Sequence, residues 1–304
     1  LDFLADGTPG LVTRIDNGTL SVPTLSSSGQ AGPLGVTGST ANLVIGPGTF
    51  RYNGPSAIVN RGLTLAAPSG RAAVIRVDKD SDLTLDGWIN STSGGFVKTG
   101  PGTLRFAGNA NNKLMVNAGA NDAHRLNIGP NGEGPTQGFF GVSVAEGKLV
   151  LGAPFQTNTV SHRLCVGINT SDLPGGETAG ELEVAGGVLN MGNQVLAVGR
   201  NNGTATTAPN GVSSRLTVTG GIITNASYIS LGYQNMSLSG YNARPVMEMS
   251  GGYVHVNNFF ISETSGSKST VTITGGTVRP YGTARFAMAA NTEASFTLGG
   301  DARF

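Results

Sequence analysis

Four aspartates fall within nine residues of this 304-residue chain, Asp78, Asp80, Asp82 and Asp86 in VIRVDKDSDLTLDGW. Read as one strand, alternation puts all four carboxylates on the outward face, with neighbours about 6.6 to 7 Å apart. A hard cation such as Ca²⁺ takes its several oxygen ligands from clusters of this kind. Read as a turn, DKDSD joins a strand at 74–77 to one at 83–85 and the carboxylates are simply solvated. The turn reading is preferred, because the glycine- and aspartate-rich nonapeptide of dedicated calcium repeats is absent. Ca²⁺ at these four residues is the one metal expectation, and no other cofactor is expected.

The remaining candidates are isolated. His124, His162 and His255 lack a second ligand at metal-binding spacing and read as surface or loop residues. Cys165 lies between Leu164 and Val166, so alternation turns it away from the core, and no neighbour that would activate a nucleophile can be named. A plain outward side chain is expected there. Trp88, the single tryptophan, is able to stack on a sugar ring, but beside Gly87 it reads more simply as a packing residue at a corner.

The elements that must position these residues recur. LEVAGGVL at 182–189, LTVTGGII at 216–223, MEMSGGYV at 247–254, VTITGGTV at 271–278 and FTLGGDA at 296–302 share two alternating apolar residues before a Gly pair. The pairs begin at 186, 220, 251, 275 and 299, at spacings of 34, 31, 24 and 24 residues. Self-similarity at such periods marks stacked repeats that bury their apolar faces against one another. Leu182, Leu216, Met247 and Val271 should form one inward column, and Val184, Val218, Met249 and Ile273 a second. The last unit lacks the spacer before its Gly pair, and a distorted or terminal coil is expected there. Apolar-x-apolar-Gly also recurs, at 43–46, 126–129, 149–152, 164–167, 196–199 and 229–232, and reads as a further strand of each coil. The longer spacings place their extra residues at 203–214 and 234–245, where loops would form a working face. Period-two alternation without any sustained helical stripe makes the chain all-β.

Composition sets limits on function. A formal charge of +1, with 19 Lys and Arg scattered singly, argues against a nucleic-acid partner. No run of about 18 apolar residues is present, so no membrane-spanning helix is expected. No cleavable signal peptide is visible at Leu1, and a chain opening there and stopping within a repeat at Phe304 reads as part of a larger protein. One cysteine permits no internal disulfide.

Residues 94–108, GGFVKTGPGTLRFAG, closely resemble the signature of the autotransporter-associated β-strand repeat, a Gly pair followed by Lys-Thr-Gly-x-Gly-Thr-Leu. FFGVSVAEGKLVLG at 139–152 is similar to the second half of that repeat, and GPGTFRYNGPSAIVNRGLTL at 46–65 to the segment that precedes it. The resemblance covers about residues 34–152 and is broken between Asn109 and Gly138, where an elaborated loop is expected. It implies a right-handed parallel β-solenoid, exported to the bacterial cell surface or beyond as a passenger, adhesin or matrix component. These families share no catalytic site, so no catalytic residue is carried over.

The sequence therefore predicts one elongated β-solenoid domain over 1–304, repeat-like at 34–152 and Gly-Gly-cornered at 153–304, with about a dozen coils. Its expected role is structural and non-enzymatic, as an extracellular adhesin, fibre or matrix module. Expected partners are copies of itself or neighbouring repeats, a polysaccharide or another cell-surface ligand. A passive passenger stalk is one alternative. A polysaccharide lyase or hydrolase is the other, since such enzymes use solenoids with acidic calcium ligands and a basic residue in one groove, and Arg76 shares a face with Asp78 on the strand reading. That alternative rests on fold analogy alone.

Overall fold

The computed structural model describes residues 12–35, 43–68, 71–87, 89–91, 95–107, 115–116, 141–144, 147–152, 157–160, 163–169, 180–201, 214–233 and 243–304. Among them there is no helix, and every pairing between strands is parallel. Strands adjacent in sequence do not pair. Ala57–Val59, Leu63–Leu65 and Ala72–Val77 each belong to a different sheet, and the chain then returns to the same three sheets through Asp82–Leu85, Ile89–Ser91 and Gly95–Thr99. Each of these two passes thus lays one strand on each face, whereas among the described residues the first sheet holds only four strands, the last of them Ile89–Ser91, and the other two sheets continue to the carboxy-terminal end.

The third sheet carries the core most regularly. Its nine strands run from Ala57–Val59 to Glu293–Leu298, and their register stacks side chains of one kind in file. Leu83, Leu104, Leu149, Leu182, Leu216, Met247 and Val271 form one inward column, and Leu85, Phe106, Leu151, Val184, Val218, Met249 and Ile273 the other. All fourteen are at most 1% exposed. Both columns foreseen from the Gly-pair repeats are therefore present, and they extend upstream into the region of the family resemblance. Each fully buried aliphatic chain here is stabilised by about 1.5 to 3 kcal/mol relative to exposure.

The Gly pairs sit at the corner after this sheet, and each of the two positions has its own requirement. The second glycine is left-handed throughout, with φ of 65° at Gly187, 68° at Gly221, 83° at Gly252 and 81° at Gly276. Both positions also face backbone of the preceding pass. A Cβ on Gly251 would lie 2.7 Å from the Thr219 carbonyl oxygen, and one on Gly252 only 2.5 Å from that of Gly221. Stacking of passes at about 4.8 Å leaves no room for a side chain that points along the stacking axis.

Other features of the fold depart from the sequence reading. The apolar-x-apolar-Gly motif is not one structural element, since 43–46 falls in the first sheet, 149–152 in the third, and 164–167, 196–199 and 229–232 in the second. Two alternating apolar residues before a glycine serve any strand that enters a corner, so the motif does not name its face. GFVKT at 95–99 pairs in register with 141–144, and 103–106 with 148–151, so the two matched segments stack as consecutive passes. The main path of the second sheet holds ten strands among the described residues, which at about 4.8 Å each spans roughly 43 Å.

In the final unit, Leu298 pairs with Ile273 and Arg303 with Thr277, so four residues round that corner where three do so one pass earlier. Gly299 takes the spacer position, and Gly300 is the left-handed residue at φ 60°. The loop segments foreseen within 203–214 and 234–245, the insertion from Asn109 to Gly138, and His124, His162 and Trp88 lie almost wholly or wholly outside the described residues.

Candidate functional site

Alternation within Ala72–Val77 sends Ala73, Ile75 and Val77 inward, and the chain then leaves the second sheet. Lys79 and Asp80 form a turn, with Asp80 left-handed at φ 63°, and Asp82 opens a strand of the third sheet that Asp86 follows. The segment is a turn between two faces, and the single strand that would align four carboxylates is not formed. Asp80, Asp82 and Asp86 are exposed. Among the described residues no group of three or more His, Cys, Asp or Glu side chains is placed to hold a metal ion.

Asp78 is held by a partner that no local motif reveals. Arg51 lies in the preceding pass in register with Arg76, and the two guanidinium groups converge on this one carboxylate. Arg51 Nη2 donates to Oδ2 at 2.6 Å and Arg76 Nε to Oδ1 at 2.9 Å. Burial pushes the Asp78 carboxyl up, but the hydrogen bonds and charges of Arg51 and Arg76 outweigh it and hold the group below the ordinary carboxylate range. Arg76 is thus an ion-pair partner of Asp78, and the pair bridges two arginines that would otherwise repel each other.

Two cations stand where apolar residues would be expected. Lys98 occupies an inward column of the second sheet between Ile75 and Val144 and is fully buried. Its Nζ donates to the carbonyl oxygens of Thr99 and Gly100, both at 2.7 Å, so the Lys of the repeat signature ties down the corner that follows it. Arg61, 1% exposed, donates through Nη2 to the Gly35 carbonyl at 2.8 Å and through Nε to that of Ser26 at 3.0 Å. It anchors the segment around 26–35, and burial lowers its affinity for a proton. These are structural uses of charge.

Cys165 points outward as alternation requires, yet it is fully buried. A second apolar layer covers this part of the second sheet, built from Ala72, Val74, Val97, Val195, Ala197 and Tyr233, with Tyr228 packed against it. Tyr228 lies 5.9 Å from Tyr233 and 5.7 Å from Phe260, ring centroid to centroid, and the Arg163 guanidinium sits 5.3 Å above the Tyr233 ring. Ser230 donates to Glu263 at the edge of this layer. Burial raises the Glu263 carboxyl, and the Ser230 hydrogen bond offsets only part of that. The expectation of a plain outward thiol fails because covering side chains arrive from other passes.

A different outward face, near the carboxy-terminal end, is open. Val254 and Val256 turn inward, so Tyr253 and His255 turn out. The His255 ring stacks between Tyr253 at 6.1 Å and Tyr281 at 4.8 Å. His255 was read as a surface residue, and its half-exposed position agrees. The aromatic row joins two passes, so no single stretch of sequence displays it, although the alternation in YVHV marks its first two members.

The described residues define an all-β protein of stacked parallel passes, in which the polar groups serve corners, ion pairs and outward faces. Over 106 residues, 34% of its length, the chain is 39% identical to the adhesin BmaC autotransporter of Brucella suis biovar 1 (strain 1330), of which it spans 3%. This local similarity relates the chain to an autotransporter. No family model matches, and no solved structure matches.

Proposed function

We propose that the chain is a non-catalytic passenger module of a bacterial surface adhesin, wound as a right-handed parallel β-solenoid and acting at the cell surface or outside the cell. The similarity to an adhesin autotransporter carries this reading. The strand order supports the winding, because connections between parallel strands of one sheet are right-handed in about 98% of cases. The autotransporter-associated β-strand repeat is the finer family assignment. It is favoured by the stacked passes at 95–106 and 141–151 and by Lys98, whose buried amine gives the Lys of that signature a structural purpose.

Adhesion is tested with beads coated with the purified chain, applied to cultured animal cells and to immobilised polysaccharides. Retention above that of beads carrying an unrelated β-protein supports the proposal, and equal retention on every surface sinks the adhesin role. The same polysaccharides incubated in solution should release no reducing or unsaturated ends.

Self-association through exposed apolar side chains is a second reading, with Phe286, Met288, Leu298 and Phe304 each 37 to 48% exposed. Sedimentation and negative-stain microscopy should show end-to-end chains, and short single rods at high concentration would refute it. Repeating both with Ca²⁺ tests whether Asp78, Asp80, Asp82 and Asp86 respond to the ion.

A further inference from the structure

We propose that the outward face formed by Tyr253, His255, Tyr281 and Arg279 is a subsite for an acidic glycan, gripping a sugar ring by stacking and its carboxylate or sulfate by the guanidinium. The proposal names a ligand class for the surface role above and rests on that reading. Its geometry is carried by the register of three successive strands. Tyr253 is aligned with Ile222 on one side and Thr277 on the other, and Thr277 in turn with Arg303. His255 is aligned with Arg279. The neighbouring strand therefore places Arg279 beside the outward His255, and Arg303 lies one position further along the same file, beyond Thr277 from Tyr253.

Three observations point to a ligand of this class. The rings form a row at centroid distances of 6.1 and 4.8 Å, with Tyr281 at its end 55% exposed, so apolar ring surface is left to water. Tyrosine and histidine combine an apolar face with a polar edge, which suits the alternating C–H and hydroxyl surfaces of a pyranose. Arg279 and Arg303 are exposed and have no ion-pair partner among the described residues, whereas Lys148, Arg215 and Lys268 on the third sheet all have carboxylates against them. Unpaired guanidinium beside open rings is complementary to an anion that also presents a face to stack on. A cationic ligand would meet two like charges here. Single-stranded nucleic acid shares the stacking requirement but needs a longer basic track than two arginines on a chain of net charge +1.

The test measures binding of the purified chain to oligogalacturonate, alginate, hyaluronan and heparin oligomers, with methyl-esterified oligogalacturonate and dextran as neutral controls and oligothymidylate as the nucleic-acid control. At least one acidic glycan should bind and be weakened by salt, with the neutral controls weaker by about tenfold. Arg279→Gln should weaken binding about fivefold and Tyr281→Ala about tenfold, while Tyr281→Phe keeps it, all with unchanged circular dichroism. Failure of every acidic glycan to bind, binding indifferent to these variants, or tighter binding of oligothymidylate would each overturn the proposal. Beads that adhere to cells equally well with and without Arg279→Gln and Tyr281→Ala would remove this subsite and leave the adhesin role standing. Glycan binding without any cell retention would do the reverse.

Discussion

Alanine at three glycines of the carboxy-terminal corners should cost different amounts, because the structure separates two reasons for glycine. Gly299 has open space at its Cβ position and no left-handed φ, so Ala should be neutral or stabilise by up to about 1 kcal/mol through the unfolded chain. At Gly251 the φ is ordinary, but a Cβ would stand 2.7 Å from the Thr219 carbonyl oxygen. Overpacking of that kind costs about 1 to 3 kcal/mol as the passes move apart. Gly252 combines φ 83° with a 2.5 Å approach to the Gly221 carbonyl oxygen. The left-handed conformation adds about 1 to 2 kcal/mol for a residue with a Cβ, for a total of about 2 to 5 kcal/mol. Stability in a stacked array is the sum of local units and their interfaces, so the readout should be local as well as global. Amide hydrogen exchange of Ile223 and Val254, on either side of the altered contact, is the direct measure, with urea unfolding followed by circular dichroism as the global one. The reasoning is refuted if Gly252→Ala exchanges no faster than Gly299→Ala, or if Gly251→Ala is the most damaging of the three.

Further outcomes follow from the polar groups. Asp78 has a depressed carboxyl, so its contribution is present above the ordinary aspartate value of 3.8 and is lost as pH falls through the folded value. Asp78→Asn should cost about 1 to 2 kcal/mol at neutral pH and flatten the acid limb of a stability–pH curve. Glu263 behaves oppositely. Its carboxyl is raised above 4.5, so the stability that it contributes is complete below that value and disappears as pH rises through the folded one. Glu263→Gln should therefore raise the unfolding midpoint at pH 7 and remove that slope, and an unchanged midpoint in thermal scans from pH 4 to 8 would contradict it. Cys165, covered by the second apolar layer, should react with a thiol reagent at least about a hundredfold more slowly in the native chain than in urea.

The division between what was legible and what was not runs along residue separation. Alternation in LEVAGG, LTVTGG, MEMSGG and VTITGG determined which side chains face inward, and a shared Gly pair determined where each pass turns. Both are properties of a few adjacent residues repeated in kind, so the parallel stacking and the inward columns could be read without coordinates. Alternation equally marked Cys165 as outward, and the structure turns Tyr253 and His255 out by the same rule. What lies over an outward side chain is set elsewhere, by Tyr233 and Val195 for Cys165 and by Tyr281 for His255, at separations that vary from pass to pass. Only the tertiary structure decided that the thiol is covered and the histidine open. Likewise, four nearby aspartates suggested an ion site, but Arg51, 27 residues before Asp78, claims the one carboxylate of the four that is not exposed. The sequence by itself determined the direction of each side chain and the need for glycine at the corners. Register between passes of unequal length decided which charges meet, which rings stack and which faces remain open, because that register is fixed by stacking the whole chain rather than by any local motif.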